Sequence, residues 1–182
     1  MHGFKRRSAL GIMTLLATLG ELPERAVAQA STGAEQRLRD LGITLPKVVT
    51  NPAAHIVPYV QTGKLLFVSG VGPGANAATG KVGKDVTEDE ATQLARQTAI
   101  VILSQVRQAA GSLDNVSRVV KVFGMVNSMP DFTDQPKVIN GCSDLFIQVF
   151  GTERGSHARS AVGMATMAFN VVVEIESIFE LM

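Results

Sequence analysis

Hydrophobic side chains follow two different periods along this chain, and the alternation of these periods predicts the order of its elements. Runs of mostly apolar and small residues without helical spacing, at residues 65–69, 116–126, 159–167 and 171–179, are typical of strands, and several of them are dense in valine and isoleucine. Residues 58–61 lead into the first run through a Thr-Gly-Lys turn and predict a further strand before it. The pattern therefore predicts five strands.

Two longer segments instead repeat apolar residues every three or four positions, which is the pattern of an amphipathic helix with one buried face. The first segment begins at Thr87, whose spacing from Glu90 matches a capping box, and ends at Gly111. The second begins near Pro136, which a first helical turn tolerates, and ends at Gly151. The predicted order is strand, strand, helix, strand, helix, strand, strand.

The two faces of the predicted sheet differ in what can cover them. Two helices, each with one apolar face, can cover a single face of the sheet. The strand at 171–179 is expected to carry apolar side chains on both faces, with Glu174 and Glu176 as exceptions. A second apolar face without a helix has to be buried against another subunit. The sequence therefore predicts an α+β fold, one mixed β-sheet with two helices on one face, and an oligomer.

The amino-terminal residues have the composition of a targeting segment. A basic cluster at residues 5–7 precedes an uncharged run at 9–19, and residues 26–28 (Ala-Val-Ala) offer a small-x-small cleavage site. Residues 1–28 are therefore predicted to be a signal peptide, and Arg-Arg-Ser-Ala-Leu at 6–10 resembles a twin-arginine export motif. We expect a periplasmic or secreted bacterial protein. A leader that is never cleaved is the alternative and predicts a cytoplasmic protein.

The remaining chain divides into an extension and one domain. Residues 29–54 are predicted to form an N-terminal extension with a short helix that stops at Gly42, and residues 55–182 form the domain. The apolar run at 9–19 is shorter than the ~20 residues that span a bilayer, so no stable membrane association is expected.

The composition and net charge of the chain limit the classes of function that it can have. The 182-residue chain is 46% hydrophobic and 18% charged, which is typical of a globular protein, and its formal net charge is +1. Removal of residues 1–28 takes away four basic and two acidic side chains and leaves a net charge of −1. A near-neutral domain lacks the basic face that nucleic-acid binding requires, so no nucleic acid is expected as a partner.

Several other candidate sites are poorly supported by their spacing. The single cysteine, Cys142, lies in an apolar helical period and is predicted to be buried. No metal site is predicted, because His55 and His157 lack partners at ligand spacing. Ser156 beside His157 is a weak nucleophile–base pair, since neighbours in an extended segment seldom point at each other. The glycine-rich residues 70–74 predict a tight turn rather than a phosphate cradle.

Arg159 and Glu174 are the candidate functional residues. Arg159 enters an element whose next eight residues carry no charge, so it is either a cation aimed into a cleft or an edge residue with an exposed head. Glu174 lies in a strand of Val, Ile and Phe, where an ionised carboxylate needs a partner unless it forms a solvated pair with Glu176. If the sheet faces another subunit, the two become a carboxylate anchor and a general base in one cleft.

Several motifs in the same order resemble the RidA/YjgF family of reactive-intermediate deaminases, also called L-PSP endoribonuclease-like. The resemblance runs from about residue 58 to residue 179. The motifs that carry it are Pro58-Tyr59-Val60-Gln61, Val68-Ser69-Gly70, Ile139-Asn140, Ala158-Arg159-Ser160 and Val173-Glu174-Ile175-Glu176. Ala161 stands where the founding members have cysteine, and Val71 and Met167-Ala168 also depart from the family pattern. These departures are typical of a divergent subgroup.

The resemblance implies a chorismate-mutase-like fold and a homotrimer with clefts between subunits. It implies that Arg159 binds the substrate carboxylate and that Glu174 positions the attacking water. The residues implied to bind substrate are Tyr59, Ser69, Gly70, Asn140 and Ala161. The implied reaction hydrolyses 2-imino or enamine acids to 2-keto acids and ammonia, without metal or cofactor. Two other functions stay open: a non-catalytic trimer that binds small carboxylates or acts as a chaperone, and an endoribonuclease.

Overall fold

A computed structural model describes residues 33–50 and 55–182. The predicted signal peptide at 1–28 and its cleavage site lie outside the described residues, as does part of the predicted extension. The helices are α1 (Ala34–Asp40), α2 (Glu88–Ala110) and α3 (Gln135–Gly155). The strands are β1 (Tyr59–Thr62), β2 (Leu65–Val71), β3 (Val116–Asn127), β4 (Ala158–Met164) and β5 (Val173–Leu181).

The five strands form one mixed sheet in the order β1-β2-β5-β3-β4. The pair β3–β4 is parallel, and the pairs β1–β2, β2–β5 and β3–β5 are antiparallel. The predicted mixed sheet is confirmed. Strand β5 lies at its centre and β4 at one edge.

Helices α2 and α3 pack on each other and on one face of this sheet. Helix α2 begins with both hydrogen bonds of the predicted capping box, and it ends at Gly111 in the left-handed conformation with φ of 76°. Beneath α3, Phe146 contacts Phe179 of β5 edge to face, with ring centroids 5.5 Å apart. The core therefore lies in one layer between the helix pair and the sheet.

The short helix predicted in the extension is α1, and it is fastened to the domain. Glu35 accepts a hydrogen bond from the backbone N–H of Leu113 at 3.0 Å and pairs with Arg107 at 3.4 Å. Ala34 and Leu38 are buried. Residues 33–45 thus belong to the folded unit rather than to a free linker.

Three of the element boundaries predicted from the sequence were wrong. Helix α3 was expected to end at Gly151, but a further helical turn follows this residue and ends at Gly155, because Gly151 forms a kink with φ of 80°. Strand β4 stops at Met164 rather than at residue 167, and β5 begins at Val173 rather than at residue 171. A single 3₁₀ turn at Ala168–Asn170 occupies part of the gap between these strands.

The side of β5 away from the helices carries the two predicted exceptions, Glu174 and Glu176, together with Ile178 and Glu180, so it is less apolar than predicted. Burial alternates along β5, so Val173 and Ile175 face the helices and Glu174 and Glu176 lie on the opposite face. That opposite face, which no helix covers among the described residues, is called the open face below. Its side chains include Val60, Phe67, Phe123, Ile178, Lys121 and Glu176, which line a cavity of about 380 Å³. No helix in the described part of the chain has the length and apolar character to cross a membrane.

Candidate functional site

Arg159 is held on the helix-covered face of edge strand β4 by two side chains of α3. Its Nη1 donates to Oδ1 of Asn140 at 2.8 Å and to Oγ of Ser143 at 3.1 Å. These two bonds use both hydrogens of Nη1 and fix the plane of the guanidinium. Nε and Nη2 donate to no acceptor within residues 33–50 and 55–182. One edge of the guanidinium is therefore available for a bidentate bond to a carboxylate.

The guanidinium lines an open cavity of about 380 Å³ at the end of α3. The cavity is lined by Asn140, Ser143, Asp144, Ile147, Ser156, His157 and Arg159. Asn140 was predicted to bind substrate, and the structure places it directly against Arg159. The cavity also brings in Ser143 and His157, which the sequence pattern did not pair with each other.

Ser143 and His157 are joined by a hydrogen bond of 3.0 Å between Oγ and Nε2. The other ring nitrogen of His157, Nδ1, lies 2.6 Å from the carbonyl oxygen of Gly155. Burial lowers the pKa of His157; the bond to Gly155 opposes this, and the positive charge of Arg159 lowers the pKa further. The imidazole is therefore neutral at neutral pH. Sequence reasoning tested His157 against the adjacent Ser156, whereas the partner comes from the preceding helix.

Glu174 lies on the open face of β5, above a glycine of β2. A β-bulge shifts the β2–β5 register between Val68 and Val71, and Gly70 lies within this bulge. A Cβ atom on Gly70 would lie 3.1 Å from Cδ of Glu174 and would overlap its Oε1. A side chain at this position would therefore displace the carboxylate of Glu174 from its present place. Gly70 and Glu174, which were predicted separately as site residues, are therefore in contact.

A second, smaller cavity of about 200 Å³ adjoins Gly70, between β2 and α2. Ser69 lines this cavity, and its hydroxyl donates to the carbonyl oxygen of Val57 at 2.7 Å. Gln105 of α2 also lines it, and its Oε1 is buried without a hydrogen-bond partner among the described residues. Gln105 is a polar group that the sequence placed only in a helical stripe. An unpaired buried acceptor here can bond a ligand that enters beside Gly70.

The two remaining predicted residues lie on the helix-covered face. Tyr59 pairs with Val68 and packs against the core. Ala161 pairs with Gly124 and is also packed against the core, two residues beyond Arg159 on the same face. Ala161 can offer backbone groups to a ligand, but its side chain has no reactive atom. Neither residue contacts Glu174 within one chain, because Glu174 lies on the other face.

Strand register shows that Arg159 and Glu174 lie on opposite faces of the sheet. Arg159 pairs with Val122, which is fully buried under the helices. Glu174 pairs with Met125 on the same strand, β3. Paired residues share a face, and positions three apart on a strand point to opposite faces. One chain therefore presents the cation and the acid as two separate half-sites.

Two other kinds of reactive group receive no support from the described residues. Burial raises the pKa of the Cys142 thiol, so this cysteine is not a thiolate nucleophile at neutral pH. Within the described ranges, no group of three or more His, Cys, Asp or Glu side chains could hold a metal ion.

Comparison with known proteins gives a consistent family. The model of the YjgF/chorismate mutase-like endoribonuclease family matches residues 35–181. The Trypanosoma cruzi protein TCP17 is 44% identical over 155 residues, covering 84% of this chain and 96% of that protein. Among solved structures, Atu1372 of Agrobacterium tumefaciens, a protein of unknown function, is 45% identical with a TM-score of 0.74 over 82% of this chain and 93% of that chain.

A candidate endoribonuclease from Shewanella oneidensis MR-1 is 28% identical, with a TM-score of 0.77, and the similarity covers 82% of this chain and all of that chain (100%). The predicted resemblance and the predicted chorismate-mutase-like fold are both confirmed by the family match and by these relatives. This protein belongs to the YjgF/RidA family.

Proposed function

We propose that this protein hydrolyses small 2-imino or enamine acids to 2-keto acids and ammonia, in clefts that two subunits share. The observation that carries the proposal is the guanidinium of Arg159, which is held rigidly by Asn140 and Ser143 and keeps an unengaged edge toward a cavity. A fixed, half-satisfied guanidinium is suited to a planar carboxylate.

The second group comes from a second subunit, because one chain separates Arg159 and Glu174 by the thickness of its sheet. The open face, with its exposed Val60 and Phe67, supports burial against another copy of the chain. A homotrimer is the assembly that the family resemblance implies, and a ring of subunits brings the open face of one chain beside edge strand β4 of the next.

In this cleft the substrate carboxylate binds Nε and Nη2 of Arg159. Glu174 of the partner subunit accepts a proton from a water molecule as the water oxygen bonds to the imine carbon, and it passes this proton to the imine nitrogen, which gives the carbinolamine. Collapse of the carbinolamine breaks the C–N bond, releases ammonia and leaves the keto acid. The imine carbon is already electrophilic, so orientation of acid and water is the main task of the protein.

The test is ammonia release from an imino acid that an amino-acid oxidase generates in the assay. The mature domain should accelerate release, and Arg159→Ala should lose the acceleration. Arg96→Ala is a matched control, because Arg96 is also an arginine that donates to a side chain of α3, Oε1 of Gln148 at 3.0 Å, but it does not line this cavity. Equal acceleration by Arg159→Ala and the parent protein would falsify the proposal.

Non-catalytic binding of carboxylates is the second candidate. The supporting observation is that the Arg159 half-site is complete within one chain, whereas the acid has to be supplied by another. This candidate predicts that pyruvate raises the melting temperature of the parent protein and not of Arg159→Ala, while no imine is turned over.

Export is proposed from the sequence of residues 1–28, which lie outside the described structure. Cell fractionation of a bacterium that expresses the full chain should place the protein, shortened at its amino terminus, in the periplasm. A full-length cytoplasmic product would leave the leader without an export role.

A further inference from the structure

The cavity beside Arg159 contains a serine hydroxyl in hydrogen-bond contact with a histidine ring. Ser143 projects from α3 and His157 from the segment just before β4, and Oγ and Nε2 are 3.0 Å apart. This is the distance at which a neutral imidazole takes the proton of an attacking hydroxyl. Imine hydrolysis with a water nucleophile does not use this pair.

The hydrogen bond at the other ring nitrogen sets the tautomer of His157. The last carbonyls of an α-helix have no partner within the helix, and the carbonyl oxygen of Gly155 at the end of α3 accepts from Nδ1 at 2.6 Å. Nδ1 therefore carries the proton, and Nε2 presents its lone pair to the hydroxyl of Ser143. Because burial keeps the imidazole neutral, the base is in its reactive form at neutral pH.

Arg159 places a positive charge next to the same oxygen. Nη1 lies 3.1 Å from Oγ of Ser143, and the cation stabilises negative charge that develops on this oxygen or on a carbonyl oxygen bound beside it. Ser143 is largely buried, whereas the cavity that it lines is open to solvent. A base, a hydroxyl and an anion-stabilising group thus converge within one chain.

We propose that Ser143 is a nucleophile activated by His157, and that it gives this protein a serine-dependent activity on small carboxylic esters. Oγ bonds to the ester carbonyl carbon while its proton moves to Nε2 of His157. The C–O bond to the alcohol then breaks, and the alcohol leaves with that proton. Water cleaves the acyl-serine in the same way and regenerates the hydroxyl. The cavity, with Ile147 as its apolar side chain, fits short acyl chains.

This activity needs neither Glu174 nor a second subunit, so it goes beyond the proposed imine hydrolysis and can be tested separately from it. The probes are a fluorophosphonate, which bonds covalently to activated serines, and 4-nitrophenyl acetate. The full chain should be labelled at Ser143, as read by mass spectrometry of its peptides. Glu174→Gln should keep this labelling while it loses imine hydrolysis.

Three variants divide the possible outcomes. Ser143→Ala should abolish labelling, and His157→Gln should slow it by about 100-fold or more, the usual contribution of a general base. Ser160→Ala is the matched control, since Ser160 adjoins Arg159 in the chain but its hydroxyl accepts a hydrogen bond from Lys121 on the open face, away from this cavity, and it should label as the parent does. Labelling should also slow in acid, at a pH below the ordinary histidine value of ~6.5, because burial lowers the pKa of His157 and only the protonated ring no longer accepts the proton.

The proposal is overturned if the folded parent is not labelled, if Ser143→Ala keeps its labelling, or if Ser160→Ala removes it. Thermal unfolding verifies that each variant is folded. If Ser143→Ala does not fold, His157→Gln still decides, because unchanged labelling of that variant excludes the base.

Discussion

The separation of Arg159 and Glu174 onto opposite faces of one sheet predicts complementation between two inactive variants. Arg159→Ala removes the carboxylate anchor but leaves a complete open face. Glu174→Gln removes the base but leaves the guanidinium with its bonds to Asn140 and Ser143. If each cleft takes its arginine from one subunit and its acid from the next, an assembly that contains both variants holds some complete clefts.

The expected yield follows from counting the two contributors of a cleft. In a random equimolar mixture, the arginine donor is intact in half of the clefts and the acid donor is independently intact in half, so about one quarter of clefts are complete whatever the ring size. Loss of two charge-assisted hydrogen bonds, at about 1.5–3 kcal/mol each, leaves Arg159→Ala with about 10⁻²–10⁻⁴ of the parent activity. Removal of the general base leaves Glu174→Gln about 10²–10⁴-fold slower. The activity of the recovered quarter of the clefts is therefore well above the activity of either variant alone.

The assay unfolds and refolds the two variants together and follows imine hydrolysis against separately refolded controls. Different affinity tags on the two variants allow the mixed assemblies to be isolated. About 25% of the parent activity is expected in the unfractionated mixture, and about one third in isolated mixed trimers, each of which holds one complete cleft among three. Activity in the isolated mixed assemblies no higher than the mean of the two variants would show that both residues act from one chain and would refute the two-face argument.

Three further outcomes follow from close packing. Gly70→Ala should displace the carboxylate of Glu174 and lower kcat/KM for imine hydrolysis by about 100-fold. Gly72→Ala is the control and should leave kcat/KM unchanged, because its Cβ would meet nothing nearer than 3.5 Å. Equal kcat/KM values for the two variants would contradict the contact between Gly70 and Glu174. Gly141→Ala would overlap the backbone of α2 and should lower the free energy of unfolding by about 1–3 kcal/mol, seen as a drop in Tm of several degrees; an unchanged Tm would show that the helices separate freely. The buried thiol of Cys142 should react with a disulfide reagent only as fast as the protein unfolds, and rapid reaction under native conditions would be inconsistent with its burial.

The secondary-structure elements could be predicted because they depend on local sequence patterns, and the family could be predicted because several motifs occur in the same order. The capping box of Thr87 and Glu90, and the glycine that ends α2, are short-range features that the structure reproduces. The ordered motifs, including the one around Arg159, indicated the correct family. The predicted end of α3 was wrong because the spacing alone suggested a stop at Gly151. In the structure this glycine forms a kink, and a further helical turn follows it.

The contents of the candidate site were only partly predictable because they depend on strand register and on contacts between distant segments. Hydrophobicity could not assign Glu174 to one face, since Val172 and Val173 are both buried beside it. The partner of His157 lies 14 residues earlier, on a helix whose rotation only packing defines.

The central position of β5 has a consequence for how the protein folds. Leu66 of β2 pairs with Phe179, so the strand that joins the two parts of the sheet comes from the far end of the described chain. Segments α2, β3, α3 and β4 can form local contacts earlier, but β1–β2 stays detached from them until β5 inserts between β2 and β3. The sheet therefore closes late, through contacts of large sequence separation, which are slow to form. While β5 is still inside the ribosome the sheet is incomplete, and the future neighbours of β5 are exposed as two unpaired strand edges.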